Sequence, residues 1–185
     1  HHRPEDSHSI FLNAIGGYLG DSRLMLRYLA FNTGRGEGSR IFIGIGYGIP
    51  SKNTLTKSPF DKDEEENYFE HRHFAMSDGV HKGQFELQYY YKKITNPVFL
   101  GGTVKIVEPL SDNEYGFSGS RLSEFSLSLL FNKNNPLKVP ISTNIVISHE
   151  SEAFWNGNPA PNSENTIMTP GIGFFFSSNF ATLTL

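Results

Sequence analysis

Apolar and polar positions alternate along most of this chain, and the alternation is clearest between Arg40 and Pro50. Every second residue from Ile41 to Ile49 is apolar, and the positions between them are Phe42 and three glycines. Successive side chains of a β-strand point to opposite faces, so this segment predicts a strand with one continuous apolar face. The other face is nearly bare backbone. Such a strand needs an apolar medium on one side, which a bilayer-spanning β-barrel supplies.

The alternation recurs at nearly even spacing along the chain, which predicts an all-β fold. Helix signals are weak, and no apolar run approaches the ~20 residues of a transmembrane helix. The other predicted strands are Ser9–Ile15, Leu24–Asn32, Lys82–Lys93, Val98–Val107, Leu122–Phe131, Leu137–Ser148, Ile167–Phe176 and Phe180–Leu185.

The connections between these strands alternate in length. Bacterial outer-membrane barrels do the same, with short turns on one rim and long loops on the other. A soluble sheet with one wet face produces the same alternation of apolar and polar residues, but it has no reason to alternate its loops, so the loops favour the membrane. The short connections are Thr33–Ser39, Thr95–Pro97, Asn132–Pro136 and Ser177–Asn179, and the long ones are Ser51–His81, Glu108–Arg121 and His149–Thr166.

These patterns together predict an antiparallel up-and-down transmembrane β-barrel of about 8–12 strands in the complete protein. Residues 1–23 are expected to form an N-terminal segment with a short strand, and residues 24–185 the barrel domain. Counting Ser9–Ile15 gives an odd number of strands, whereas bacterial single-chain barrels have even numbers. We therefore expect the chain to lack its closing strand or strands.

Five polar residues of the predicted strands would face the lumen of such a barrel, namely Arg27, Glu86, Gln88, Lys105 and Asn144. Opposed charges inside a barrel can form a selectivity constriction. In a narrow barrel they can equally pair with one another and fill the interior. Both interpretations stay open from the sequence.

Aromatic residues cluster near the predicted strand ends, at Tyr89–Tyr91 and Phe174–Phe176. Clusters in these places are typical of the aromatic girdles at membrane interfaces, and core packing in a soluble barrel is the alternative. Trp155 follows Phe154 in a long loop. There it could contact a ligand or partner, or fold back over the barrel mouth.

Histidines supply a candidate metal site in the longest loop. His71, His73 and His81 lie in that loop or at its end, and three imidazoles can bind zinc or copper. Scattered histidines in a solvated loop are the alternative. The chain has no cysteine, so neither a disulfide nor a thiolate metal site can form within it.

A histidine and an acid also lie together at the predicted outer rim, as His149 and Glu150. Barrels that modify lipids use a Ser or His beside an acid near the membrane surface. Adjacent residues of a strand face opposite sides, so contiguity argues against a catalytic group here. We expect no enzymatic activity and no cofactor.

Four short Gly-containing segments resemble a family of outer-membrane barrels known as transporters or as the meta-pathway of phenol degradation group. They are Gly44–Pro50 (GIGYGIP), Ser77–Leu87 (SDGVHKGQFEL), Gly116–Leu122 (GFSGSRL), and Asn165–Thr166 with Thr169–Ile172. The resemblance extends from Arg40 to Leu185 and departs from the family at the C-terminus, where the family continues with closing strands. It implies an outer-membrane barrel that handles hydrophobic or aromatic compounds.

The sequence therefore predicts passive transport or binding of small, hydrophobic solutes in a bacterial outer membrane of Gram-negative type. The expected partners are the lipid bilayer, lipopolysaccharide, a small hydrophobic solute and a protein contacting the long loops. A net charge of −3 gives no reason to expect nucleic acid. The alternatives are a structural or interaction barrel with a filled lumen, and a soluble ligand-binding β-barrel.

Overall fold

A computed structural model describes residues 20–54, 56–58, 62, 76–94, 98–131, 139–177 and 182–184. The regular secondary structure of this part of the chain is entirely β, as the alternation predicts, in eleven strands. The strands are β1 (Ser22–Asn32), β2 (Gly38–Ile49), β3 (Lys82–Lys93), β4 (Val98–Pro109), β5 (Phe117–Ser118), β6 (Leu122–Phe131), β7 (Ile141–Glu150), β8 (Phe154–Trp155), β9 (Asn158–Pro159), β10 (Asn165–Ser177) and β11 (Thr182–Thr184).

Eight of these strands form one sheet in the order β1-β2-β3-β4-β6-β7-β10-β11, and every pairing in it is antiparallel. Neighbours in the sheet are successive long strands of the chain, so the sheet has the predicted up-and-down topology. All three long connections consequently lie at one rim. Within the described strands β1 and β11 are the two edges, so this sheet is not closed on itself.

The seven long strands were all predicted from the period-two pattern, and the bounds of Lys82–Lys93 and Leu122–Phe131 agree at both ends. The predicted strand Ser9–Ile15 lies outside the described residues. A β-bulge changes one detail, because Leu29 pairs with Phe42 while Phe31 pairs with Ile41. The extra residue of the bulge is Ala30, so Phe31 replaces it in the expected line of apolar residues.

One face of the sheet carries an unbroken row of apolar side chains across seven strands. Each member pairs in register with the next, and their exposed fractions range from 36% to 72%. The row therefore lacks any protein layer over it among the described residues. From β1 to β10 it consists of Tyr28, Ile43, Leu87, Val104, Phe125, Ile147 and Met168.

The buried hydrophobic residues of the described chain lie at the long-loop rim instead of on this face. Val80 is 1% exposed, and Ala153, Trp155 and Ala160 form a small core on which Phe117 packs. Strands β5, β8 and β9 form a second, three-stranded sheet there. We call this small sheet, together with residues 76–80, the loop cap.

Two contacts hold the loop cap together across different connections. The Phe117 and Trp155 rings lie 5.1 Å apart between centroids, and the Asn113 side-chain amide donates a hydrogen bond of 2.9 Å to the Asp78 carbonyl. All three long connections thus contribute to one packed unit. Trp155 folds back into the protein in this unit and is 8% exposed.

Two glycines of the loop cap allow a matched test of its packing. Gly116 and Gly157 both have positive φ, but a Cβ on Gly116 would overlap Asn156 Oδ1, whereas one on Gly157 would meet nothing within 4 Å. Gly157→Ala should cost about 1 kcal/mol for its backbone alone. Gly116→Ala should cost roughly 1 kcal/mol more, because the Asn156 side chain must also move.

The readout of this pair is the fluorescence of Trp155, the one tryptophan of the chain, followed during urea unfolding. Gly116→Ala should lower the urea midpoint more than Gly157→Ala does. Equal midpoints for the two variants would show that the Asn156 side chain moves away from the new Cβ at no measurable cost in stability.

Candidate lumen site on the polar face of the sheet

The face opposite the apolar row carries a row of charges at the same level of the sheet. Arg27 pairs with Gly44, which pairs with Glu86, and the register continues to Lys105 and then Glu124. Each charged residue is the chain neighbour of a member of the apolar row, because successive strand residues face opposite sides. We call these four charged side chains the charge row. Their signs alternate across the sheet.

Gly44 lets the first two charges meet across an intervening strand. The Arg27 guanidinium donates to both carboxylate oxygens of Glu86, at 2.6 Å from Nε and 3.3 Å from Nη2. A Cβ on Gly44 would lie 3.2 Å from the Glu86 Cβ, so a side chain there would crowd the space through which the pair forms. The absence of a side chain on this face of β2 therefore leaves the space in which Arg27 and Glu86 form their ion pair.

Glu86 is the more enclosed member of this pair. Its residue is 5% exposed, while half of the Arg27 side chain is accessible. The Gln88 amide donates a second hydrogen bond of 2.7 Å to Glu86 Oε1. A buried carboxylate requires such partners because desolvation alone disfavours its charge.

The second half of the charge row is another ion pair, in which Lys105 Nζ lies 2.8 Å from Glu124 Oε1. Lys105 also stands opposite Glu86 in the register of β3 and β4. Four of the predicted lumen residues, Arg27, Glu86, Gln88 and Lys105, are thus brought into one connected group. Glu124, which completes the row, was not among the residues predicted, although its alternation with Phe125 placed it on the polar face.

Asn144 belongs to the same face but not to this group. It pairs with Ser128 on one side and Gly171 on the other, four residues along β7 from the level of the charge row. At ~3.4 Å per residue this is about 14 Å away. The part of the prediction that placed Asn144 on the polar face agrees with the register.

Aromatic rings cover the polar face toward the short-turn rim. Tyr90 stacks on Phe99 at 5.8 Å, meets Phe42 edge-on at 6.0 Å, and donates a hydrogen bond of 3.2 Å to Gln88. The predicted girdle of Tyr89–Tyr91 is therefore split, because Tyr90 points away from its two neighbours. The side chains of Phe175 and Phe176 lie outside what the structure describes.

The histidines do not assemble into a site within the described chain. His81 stacks on Tyr47 at 5.6 Å, with Nδ1 2.9 Å from the tyrosine oxygen, whereas His71 and His73 lie outside the described residues. His149 Nδ1 lies 2.9 Å from Thr166 Oγ1. Among the described residues there is no group of three His, Cys, Asp or Glu side chains placed to hold a metal.

An ion pair also connects two strands at the long-loop rim. Arg121, between β5 and β6, donates to both oxygens of Glu108, with Nη2 2.9 Å from Oε1. This carboxylate raises the pKa of the Arg121 guanidinium above its usual value, chiefly through the hydrogen bond. The pair links the end of β4 to the start of β6 next to the loop cap.

Comparisons with family models, curated proteins and solved structures return no match to this chain. The described part of the chain has no helix of the length and hydropathy that a helical membrane span requires.

Proposed function

We propose that this chain is the wall of an outer-membrane β-barrel that lets small solutes bind or pass along its polar face. The observation that carries the proposal is the polarity of the sheet. The exposed face is apolar over seven strands, and the opposite face holds a charge row whose most enclosed member, Glu86, is 5% exposed. A soluble domain places these two faces the other way round.

The dimensions of the apolar face support the proposal that a bilayer covers it. Seven strands at ~4.8 Å spacing and nine residues of β2, from Ile41 to Ile49, give a face of roughly 29 Å by 27 Å, on the order of 780 Å². The largest apolar patch of a soluble monomer is about 300–600 Å². At the ~35–45° tilt of barrel strands, a strand length of about 27 Å gives a height of about 20 Å, close to the ~25 Å apolar band of outer-membrane barrels.

The lengths of the strands support the same occupant. The seven long strands have between 10 and 13 residues, and a tilted transmembrane strand needs about 9–11. Each strand can therefore cross the hydrocarbon and extend into the long-loop rim, where the loop cap lies. Hydrocarbon covers the apolar face in this arrangement, and the charge row faces the lumen.

The polar face is suited to passive passage. The four charges of the charge row are paired with one another, so they present hydrogen-bonding edges and a balanced field to a passing solute. The one exposed cation of the row is Arg27, whose side chain is half accessible. Passage or reversible binding is the function that this arrangement supports best.

The first experiment is electrophoresis of the detergent-extracted protein with and without boiling. We expect a heat-dependent mobility shift and recovery of the protein in the membrane fraction, because a closed barrel resists detergent until it is heated. A protein that stays soluble and monodisperse in plain buffer, with no shift, would contradict the membrane proposal and support a soluble β-domain.

Conductance of the purified protein in planar bilayers tests passage separately from insertion. We expect small conductance steps, together with uptake of small solutes by protein-containing liposomes. An inserted, heat-modifiable barrel with neither activity would overturn passage while leaving the membrane assignment intact.

The loop cap favours a second candidate, a structural barrel that contacts a protein partner through its long loops. Described residues from each of the three long connections pack into one unit around Val80 and Trp155, and a prebuilt surface binds a partner with little loss of loop entropy. Intact insertion with zero conductance, together with binding of a partner that Gly116→Ala weakens, would favour this candidate.

A further inference from the structure

A cavity of about 260 Å³ lies on the polar face of the sheet directly beneath the loop cap. Val80 of the cap and Val107 of β4 supply apolar walls, and Gly48 leaves one side bare. The polar side of the lining consists of Asp21, Ser22, Arg23, Lys82 and Gln84. The volume is slightly below the 300–1,000 Å³ of sites for drug-sized ligands, so the cavity suits a smaller organic molecule.

Gln84 is the strongest sign that the cavity is built for a ligand. The residue is 9% exposed, and its side-chain oxygen is buried without a hydrogen-bond partner in the described structure. Buried polar side chains nearly always have a partner. An acceptor left open in the wall of a cavity is therefore a place for a ligand that donates a hydrogen bond.

The opposite end of the cavity is lined by two cations and one carboxylate, Arg23, Lys82 and Asp21. Arg23 forms no ion pair with the described residues, while Lys82 Nζ lies 2.5 Å from Asp78 Oδ2. Arg23 and Lys82 share one level of the sheet through Gly48, and Gln84 is one level deeper on β3. Lys82 and Gln84 are two residues apart on β3, which spans about 7 Å, and this sets the spacing between an anionic group at Lys82 and a donor at Gln84.

We infer that this cavity binds a short hydroxycarboxylate, with its carboxylate at Arg23 and Lys82 and its hydroxyl donating to Gln84. The methylene chain between the two groups lies against Val80 and Val107. The inference rests on the proposed function in one respect. It names the substrate class of the proposed barrel, whose polar face carries solutes. Binding itself requires only the folded protein.

The test is calorimetric titration of the full, detergent-folded chain with 5-hydroxypentanoate, whose two polar ends are about 7 Å apart when extended, to match the spacing on the sheet. Two relatives of the probe serve as comparisons, pentanoate without the hydroxyl and 5-hydroxypentanamide without the charge. We expect millimolar binding of the first compound and about fivefold weaker binding of each comparison compound, the effect of one lost hydrogen bond or charge contact.

Variants separate this site from general effects on the protein. Gln84→Leu should weaken 5-hydroxypentanoate about fivefold and leave pentanoate unchanged, while raising the midpoint of thermal unfolding because the open acceptor is gone. Arg23→Gln should weaken both acids. Thr103→Val and Arg40→Gln, on the same face but outside the cavity lining, should bind as the parent protein does.

The possible failures of the two proposals are distinguishable. A heat-modifiable, membrane-inserted protein that does not bind 5-hydroxypentanoate at millimolar concentration would overturn the hydroxycarboxylate site alone. Equal affinity for pentanoate, or an affinity for 5-hydroxypentanoate that Gln84→Leu leaves unchanged, would overturn it as well. A protein that fails the membrane test but binds with the expected selectivity would keep the site and overturn the proposed function.

Discussion

Leu87→Arg should destabilise the proposed membrane-inserted barrel by about 2–4 kcal/mol, the cost of a cation on a lipid-facing surface at the middle of a bilayer. Leu87 is the third member of the apolar row and is 40% exposed. Its neighbours in register are Ile43 and Val104, so no acidic side chain adjoins it on that face. The stability is measured by urea titration of the heat-dependent gel shift after refolding into lipid vesicles.

The same substitution has a different expectation if water covers this face. An exposed residue of a soluble sheet tolerates a change to arginine within about 0.5 kcal/mol. A near-zero effect of Leu87→Arg would therefore contradict the bilayer as the occupant of the apolar face. Ile94→Arg is the matched control, because Ile94 is 54% exposed but lies at the short-turn rim, where the cost should fall to about 0–1 kcal/mol.

The sheet could be predicted from the sequence because its signal is local. Alternation with a period of two identifies a strand and its two faces without knowledge of any partner strand, as Lys82–Lys93 shows. The bulge at Ala30 could not be predicted, because it depends on how β1 pairs with β2. The loop cap was missed for the same reason, since β5 and β8 have two residues each and are stabilised by contacts across connections.

The candidate site, too, could be predicted only where its signal is local in the sequence. Arg27, Glu86 and Lys105 could be placed on one face from alternation alone, whereas the contact between the first two depends on the register that sets Gly44 between them. The cavity at Gln84 required both that register and the position of Val80, a loop residue. Long-range register and loop packing have no period in the sequence, so pattern analysis could not reveal them.

Arg27→Met should cost about 2 kcal/mol of folding stability, because it leaves the Glu86 carboxylate buried without its main partner. Removal of one member of a fully buried pair costs about 3–5 kcal/mol. The lower figure applies here because half of the Arg27 side chain is exposed and Gln88 still donates to Glu86. Urea unfolding of the inserted protein, followed by the gel shift, measures the loss.

A double-mutant cycle separates the ion pair from the loss of either side chain alone. Combining Arg27→Met with Glu86→Gln should cost less than the sum of the single changes, by about 1–2 kcal/mol, because the neutral amide no longer needs the guanidinium. A cycle of Arg27→Met with Glu124→Gln is the control, since four strand spacings, about 19 Å, separate these positions. That control should be additive to within about 0.5 kcal/mol. Additivity in the Arg27–Glu86 cycle as well would mean that the 2.6 Å contact between these two residues contributes no net stability.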